Sequence, residues 1–334
     1  MKTKILIILI VLVCLGAGGL FVYKNIFISE EKVEVPPVTE EKTEEEEAIE
    51  TPEEKEEEKK EKIIPKEEGP REVSNTTRKG TIFEDEIWRG EIHIIGDIIV
   101  EEGITLTIEP GTRVLIAANQ DVENLFDWPF DMQQGIRQEH PDEDPYYRGV
   151  HFGEPFRDEG NHTSIRIHGT LHAVGTPEQM ITITSDSPTP GIYDWNFFQF
   201  DYGIFSYCIM EYYRCFNPGN GTVVSHNILR HVGECAACAN SSVVVENNMI
   251  YDAGHELVDM HNASPTIRNN TIGSNKNRCC IVIDGGSPLI TGNTIKDCGS
   301  GLLFLVPPKD PNLKDNILKN NTFLNNGQNV SYGY

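Results

Sequence analysis

The chain has 334 residues, 52 of them acidic and 28 basic, for a net charge of −24. That balance excludes nucleic acid as a partner, because phosphate binding needs a basic patch. It is compatible with Ca²⁺ or simply with solubility.

In chain order, the first element is an apolar run, Ile5 to Tyr23, that carries no charge and follows Lys2 and Lys4. At about 1.5 Å per residue it spans roughly 28 Å, enough for a bilayer core. The lysines keep the short N-terminus inside, so residues 1–23 are expected to be a transmembrane signal anchor. The protein would then be single-pass in the cell membrane with everything downstream extracytoplasmic. The competing readings are a signal peptide cleaved near Ala17–Gly19 and lipidation at Cys14, where bulky Val13 replaces the small residue such sites carry. Residues 24–79 follow as a disordered linker. Within 31–70 alone lie seventeen Glu and seven Lys with almost nothing apolar to bury.

From residue 80 the pattern becomes β. Ile92 to Val100 and Ile104 to Ile116 alternate apolar with polar, and the turns carry Gly or Pro. Residues 118–162 break the pattern with an aromatic-rich, non-repetitive insertion. Insertions of this length are usually functional or disordered; the aromatics argue against disorder, and this one is expected to pack on a flank of the domain and wall a groove.

The C-terminal third repeats. An aliphatic, two mostly polar residues, Asn, one residue and an apolar residue recur around Asn227, Asn248, Asn270, Asn293 and Asn321, with Cys208 in the Asn place one unit upstream. A period near 22 with one Asn per unit predicts a solenoid whose aliphatics point inward and whose Asn sits at a corner, bonding to its equivalent one coil away. Helical repeats need longer units with i, i+3, i+4 apolar spacing, and leucine-rich repeats need a Leu pattern absent here. The fold class is therefore all-β, a right-handed parallel β-helix of about nine coils over residues 80–334.

The runs from Gly96 to Val114 and from Ile165 to Ser185 resemble the first coils of exported prokaryotic right-handed β-helix proteins. The Asn-containing units resemble the repeats that pectate lyases share with NosD-like periplasmic proteins. The resemblance covers about residues 85–330. It implies a fold and leaves function open, since these repeats encode coil geometry rather than chemistry.

Three functions are weighed on that basis. The leading one is a binding module for glycans or cell-envelope components. The second is a polysaccharide lyase, hydrolase or epimerase, and the third an accessory factor of an envelope complex such as NosD-like proteins suggest. Counting back from each Asn aligns Ala239, His261 and Asp284, and one position earlier Cys238, Met260 and Ile283, which are expected to point inward. Glu234, Glu256, Asp259, His261 and Asp284 are thereby expected to share one outward patch. Paired carboxylates there could act as acid and base, or Asp clusters could hold Ca²⁺. An ordinary solvated face is the commoner outcome for outward solenoid positions. No Asp ladder with a catalytic Arg or Lys is recognisable, the nearest cations being Arg230 and Arg278.

Cys235-Ala236-Ala237-Cys238 is a CxxC without the second spaced pair that a zinc site needs, and without the helix that a redox motif opens. Cys215 lies one coil earlier. Disulfides are expected from Cys215 to Cys235 or Cys238, and from Cys298 to Cys279 or Cys280.

Overall fold

A computed structural model describes residues 69–120, 162–240 and 242–333. The expected anchor at 1–23, the linker to residue 68 and most of the insertion lie outside the described residues. No helix among the described residues is long and apolar enough to cross a membrane.

Every paired strand runs parallel to its neighbour, and the pairing links each segment to the one about a coil later. Three faces result. Face A stacks Thr105–Ile108, 170–174, 202–206, Val223–Ser225, Val244–Glu246, Thr266–Arg268 and Leu289–Thr291. Face B stacks Arg113–Ile116, Ile181–Ser185, Cys208–Glu211, Ile228–Val232, Met249–Ala253, 271–273, 294–296 and Thr322–Leu324. Face C stacks 165–167, 198–200, Tyr213–Pro218, Ala237–Cys238, Val258–His261, 281–284, 300–304 and Gln328–Tyr332. The first two turns are continuous bent strands, Arg71–Ile82 and Glu86–Val100. Pairing therefore begins at Arg71, inside the segment expected to be linker. Its sparse apolar residues, such as Val73, suffice because Trp88 and Ile92 of the next turn supply the buried partners.

Inward residues form one continuous core, with Ile92, Ile167, Leu229, Val245, Ile267 and Ile290 each shielded from solvent. Each such side chain contributes about 1.5–3 kcal/mol of burial. Between faces A and B runs the asparagine ladder. Asn248 Oδ1 accepts from the backbone N–H and the side-chain amide of Asn227 at 2.8 and 3.0 Å, and Asn270, Asn293 and Asn321 repeat this. Each amide also donates to a backbone carbonyl of the preceding coil, as Asn248 Nδ2 does to Val224 O at 2.9 Å. Cys208 ends the ladder. Its N–H donates to Asn227 Oδ1, and its thiol reaches the carbonyls of Ala173 and Ser206.

The residue before each ladder position except Asn321, which follows the helix, carries the left-handed turn: Tyr207, His226, Asn247, Asn269 and Gly292 all have φ between 52° and 69°. The bend thus belongs to the neighbour, while the ladder Asn stays buried for its amide. In the last coil the helix α1 (Leu313–Asn320) replaces the face A strand. Leu313 and Ile317, one turn apart, are buried on the side that closes the solenoid, which covers an otherwise open sheet edge.

The insertion leaves at the corner between faces B and C. Its two ends are tied together: His162 Nε2 lies 3.0 Å from Asn119 Oδ1, and Thr163 Oγ1 donates to Gln120 O at 2.9 Å. Asp194, at the same corner one coil on, accepts from Ser185 Oγ and from the Gly191 N–H. Its carbonyl accepts from the Asn119 N–H at 2.8 Å.

Candidate functional site

Face C carries the predicted residues. Val258 and Met260 point into the core, and Asp259 and His261 alternate outward. The partner of Asp259 in the preceding coil is Cys238, so Cys238 is an outward neighbour of Asp259 and not, as expected, an inward neighbour of Met260. The reason lies in corner lengths. The step is 21 residues from Val232↔Ala253 through Cys238↔Asp259, but 22 at Val244↔Thr266. The extra residue sits at the corner between faces C and A, and counting back from the next Asn carried it into face C. A slip of one residue exchanges inside for outside.

Asp259, His261 and Asp284 form a connected group. His261 Nε2 is 2.8 Å from Asp259 Oδ2, and its Nδ1 is 2.9 Å from Asp284 Oδ2. The hydrogen bond to Asp259, with the charges of both carboxylates, pushes the His261 pKa up to about 9, so the ring is a cation at neutral pH. Asp259 is only 8% exposed. Burial raises its pKa, with the His261 bond opposing.

Glu256 and Glu234 depart from the expected surface patch. Glu256 is 3% exposed and pairs with His255 at the corner between faces B and C. Burial acts to raise its pKa, but the charge and hydrogen bond of His255, with smaller contributions from a backbone hydrogen bond and His261, together outweigh this and hold the carboxyl below its ordinary value. Glu234 pairs with Arg214 at 3.0 Å, and burial raises its pKa despite that partner. Arg214 also lies over the Phe197 ring, 5.1 Å from its centroid. Of the five carboxyl and imidazole candidates, three therefore meet on the outward face and two are held in ion pairs beside it, Glu256 buried and Glu234 partly so. Of the cations nearest in sequence, Arg230 is held by Glu211 and Tyr251 on face B.

The cysteines divide into two sets. Cys280 and Cys298 form the disulfide expected for Cys298. Cys279, the other expected partner, is a thiol whose pKa burial pushes up to about 12. The expected bridge from Cys215 is not formed. Its sulfur lies 3.4 Å from that of Cys235 and 3.0 Å from that of Cys238, and all three are thiols. The corner shift described above is what turns Cys238 outward to meet the other two.

An open cleft of about 480 Å³ lies further along face C, toward the corner with face A. Its wall is made of amides, Gln199, Asn217, Asn220 and Asn240, with Asp201 and the exposed ring of Tyr202. His168 Nδ1 stands 3.1 Å from Asp201 Oδ2, and Gln199 Nε2 is 3.4 Å from its other oxygen. Behind it the inward partners Phe198, Phe200 and Phe216 pack ring on ring at 5.9–6.4 Å. Sequence reading missed this cleft, although polar amides alternating with Phe198 and Phe200 around Gln199 were a usable signal.

Residues 215–333 match the family model described as right handed beta helix region. The fold is a parallel β-helix. No curated protein and no solved structure matches the chain. The matched span contains Cys215, Cys235 and Cys238, the Asp259–His261–Asp284 group and the ladder from Asn227 onward.

Proposed function

We propose that the protein is a membrane-anchored extracytoplasmic β-helix module that binds polysaccharide of the cell envelope through the outer surface of face C. The observation that carries this reading is the cleft of Gln199, Asp201, Tyr202, Asn217, Asn220 and Asn240. Amides offer paired donors and acceptors that match sugar hydroxyls, and an exposed aromatic ring offers an apolar platform for a sugar face. The rigid coil spacing of about 4.8 Å repeats these groups along one line, which suits a polymeric ligand. The uncharged run Ile5 to Tyr23 and the acidic segment after it supply an anchor and a spacer.

The test is a glycan array on the full chain in detergent, comparing wild type with Tyr202→Ala, with and without Ca²⁺. The expected result is binding that weakens about tenfold or more on loss of the ring, a change of about 1.4 kcal/mol. Absence of glycan binding, or an unchanged Tyr202→Ala profile, would count against this reading.

An enzymatic reading has one specific observation behind it. Glu256 and Asp259 each bring a carboxylate oxygen within 4.8 Å of the other, and burial shifts Asp259 toward the protonated form. A reducing-end assay on the same preparations separates the two. New chain ends that vanish in Asp259→Ala would favour the enzyme.

A further inference from the structure

The three thiols of Cys215, Cys235 and Cys238 stand where two coils meet at the B–C edge, with at most a few per cent of Cys215 and 8% of Cys235 exposed. All three sulfurs lie within 4.8 Å of one another, and Cys235 also lies within 4.8 Å of carboxylate oxygens of Glu256 and Asp259. Asp259 spends Oδ2 on His261, while its Oδ1 is buried without a hydrogen-bond partner. A buried carboxylate oxygen left without a donor is costly unless something positive meets it. Glu256 is already engaged with His255.

We propose that Cys215, Cys235 and Cys238, with Asp259 as the fourth donor, form a binding site for a thiophilic divalent ion, zinc being the representative of the class. This goes beyond glycan binding and does not depend on it. Three sulfurs supply three corners of a tetrahedral zinc site, and Asp259, within 4.8 Å of Cys235 but not of all three sulfurs, would swing toward the ion to supply the fourth. Calcium, which takes six to eight oxygen ligands, does not suit a sulfur-rich set.

The geometry is close to what is needed. Thiolates about 2.3 Å from a tetrahedral zinc are roughly 3.8 Å apart. The observed 3.0 and 3.4 Å must open by about 0.4–0.8 Å, within reach of small side-chain rotations. A disulfide would use two of the three sulfurs and leave the third buried beside it. Zinc would displace the thiol protons of the three cysteines, giving three thiolates. The sequence alone argued against zinc because the CxxC has no second pair; the solenoid supplies the third sulfur from the previous coil.

The test uses the full chain, reduced, stripped with chelator and titrated with Zn²⁺ or Co²⁺. The expected result is about one ion per chain, with cobalt giving thiolate charge-transfer bands and the visible bands of a tetrahedral site. Cys235→Ser should lose the cobalt thiolate bands, and Cys279→Ser should keep them. Cys279 lies outside the donor set, so its variant controls for folding and non-specific uptake. Independently, peptide mapping of unreduced protein should find Cys215, Cys235 and Cys238 all alkylatable after the ion is removed. Wild-type chain that takes up neither ion after reduction would overturn the proposal. So would uptake that persists unchanged in Cys235→Ser, or peptides in which Cys215 is disulfide-bonded to Cys235 or Cys238.

Discussion

Replacing Asn248 with alanine is expected to destabilise the β-helix by about 3–5 kcal/mol, read as a lowered urea midpoint of the full chain. Asn248 is 1% exposed, and its side chain takes part in four hydrogen bonds. Its oxygen accepts from Asn227 N and Asn227 Nδ2, and its nitrogen donates to Val224 O and Asn270 Oδ1. Alanine removes all four bonds and leaves the buried Asn227 backbone N–H without its acceptor, a loss of about 1–3 kcal/mol, while Asn270 Oδ1 and Asn227 Nδ2 keep one bond each and lose less. The neighbouring residue provides the control. Asn247 carries the left-handed turn at φ 57°, so Asn247→Gly keeps the backbone shape and should change stability by no more than about 1 kcal/mol. If Asn247→Gly proved as damaging as Asn248→Ala, stability would reside in the turn rather than the ladder.

Phe216→Ala should cost a further large amount, about 3–5 kcal/mol, and should also weaken ligand binding at the cleft. The Phe216 ring lies 5.1, 5.9 and 5.9 Å from the rings of Phe205, Phe198 and Phe200, and is sealed from solvent. Removing it opens a cavity that the stacked coils cannot fill, since their backbones are fixed by pairing above and below. The next residue, Asn217, lines the cleft on the outer side of the same strand. A shift of that strand therefore moves the binding wall. Phe216→Leu keeps most of the volume and should lose much less stability. Thermal or urea unfolding of both variants, read beside their glycan binding, checks the two effects together.

The fold was legible because a solenoid writes its geometry into the sequence once per coil. Asn227, Asn248, Asn270, Asn293 and Asn321 are each required to be Asn by the same set of bonds, so their spacing reports the coil length directly. The candidate site was legible only in part. Asp259, His261 and Asp284 follow from alternation within one strand and the next, and they do meet. Cys238 was misplaced by one position because a corner, not a strand, took up the extra residue between coils. Glu234 and Glu256 were expected on the outward face because counting back from each Asn places them at the start of it. They are instead drawn into ion pairs with Arg214 and His255, which a repeat alignment does not bring forward. The Tyr202 cleft is assembled from three successive coils, so the alternation around Gln199 marks only one part of its wall.

The coil-to-coil register sets both the core and the neighbours on face C. The most direct test is a proton–proton cross-relaxation spectrum of the full chain in detergent, labelled with ¹⁵N at asparagine. The register predicts side-chain amide contacts in the order Asn227, Asn248, Asn270, Asn293, Asn321, with the Asn248 backbone amide close to the Asn270 side chain. Contacts running instead through Asn247 and Asn269, one residue out of step, or no contacts between asparagine side chains, would contradict it.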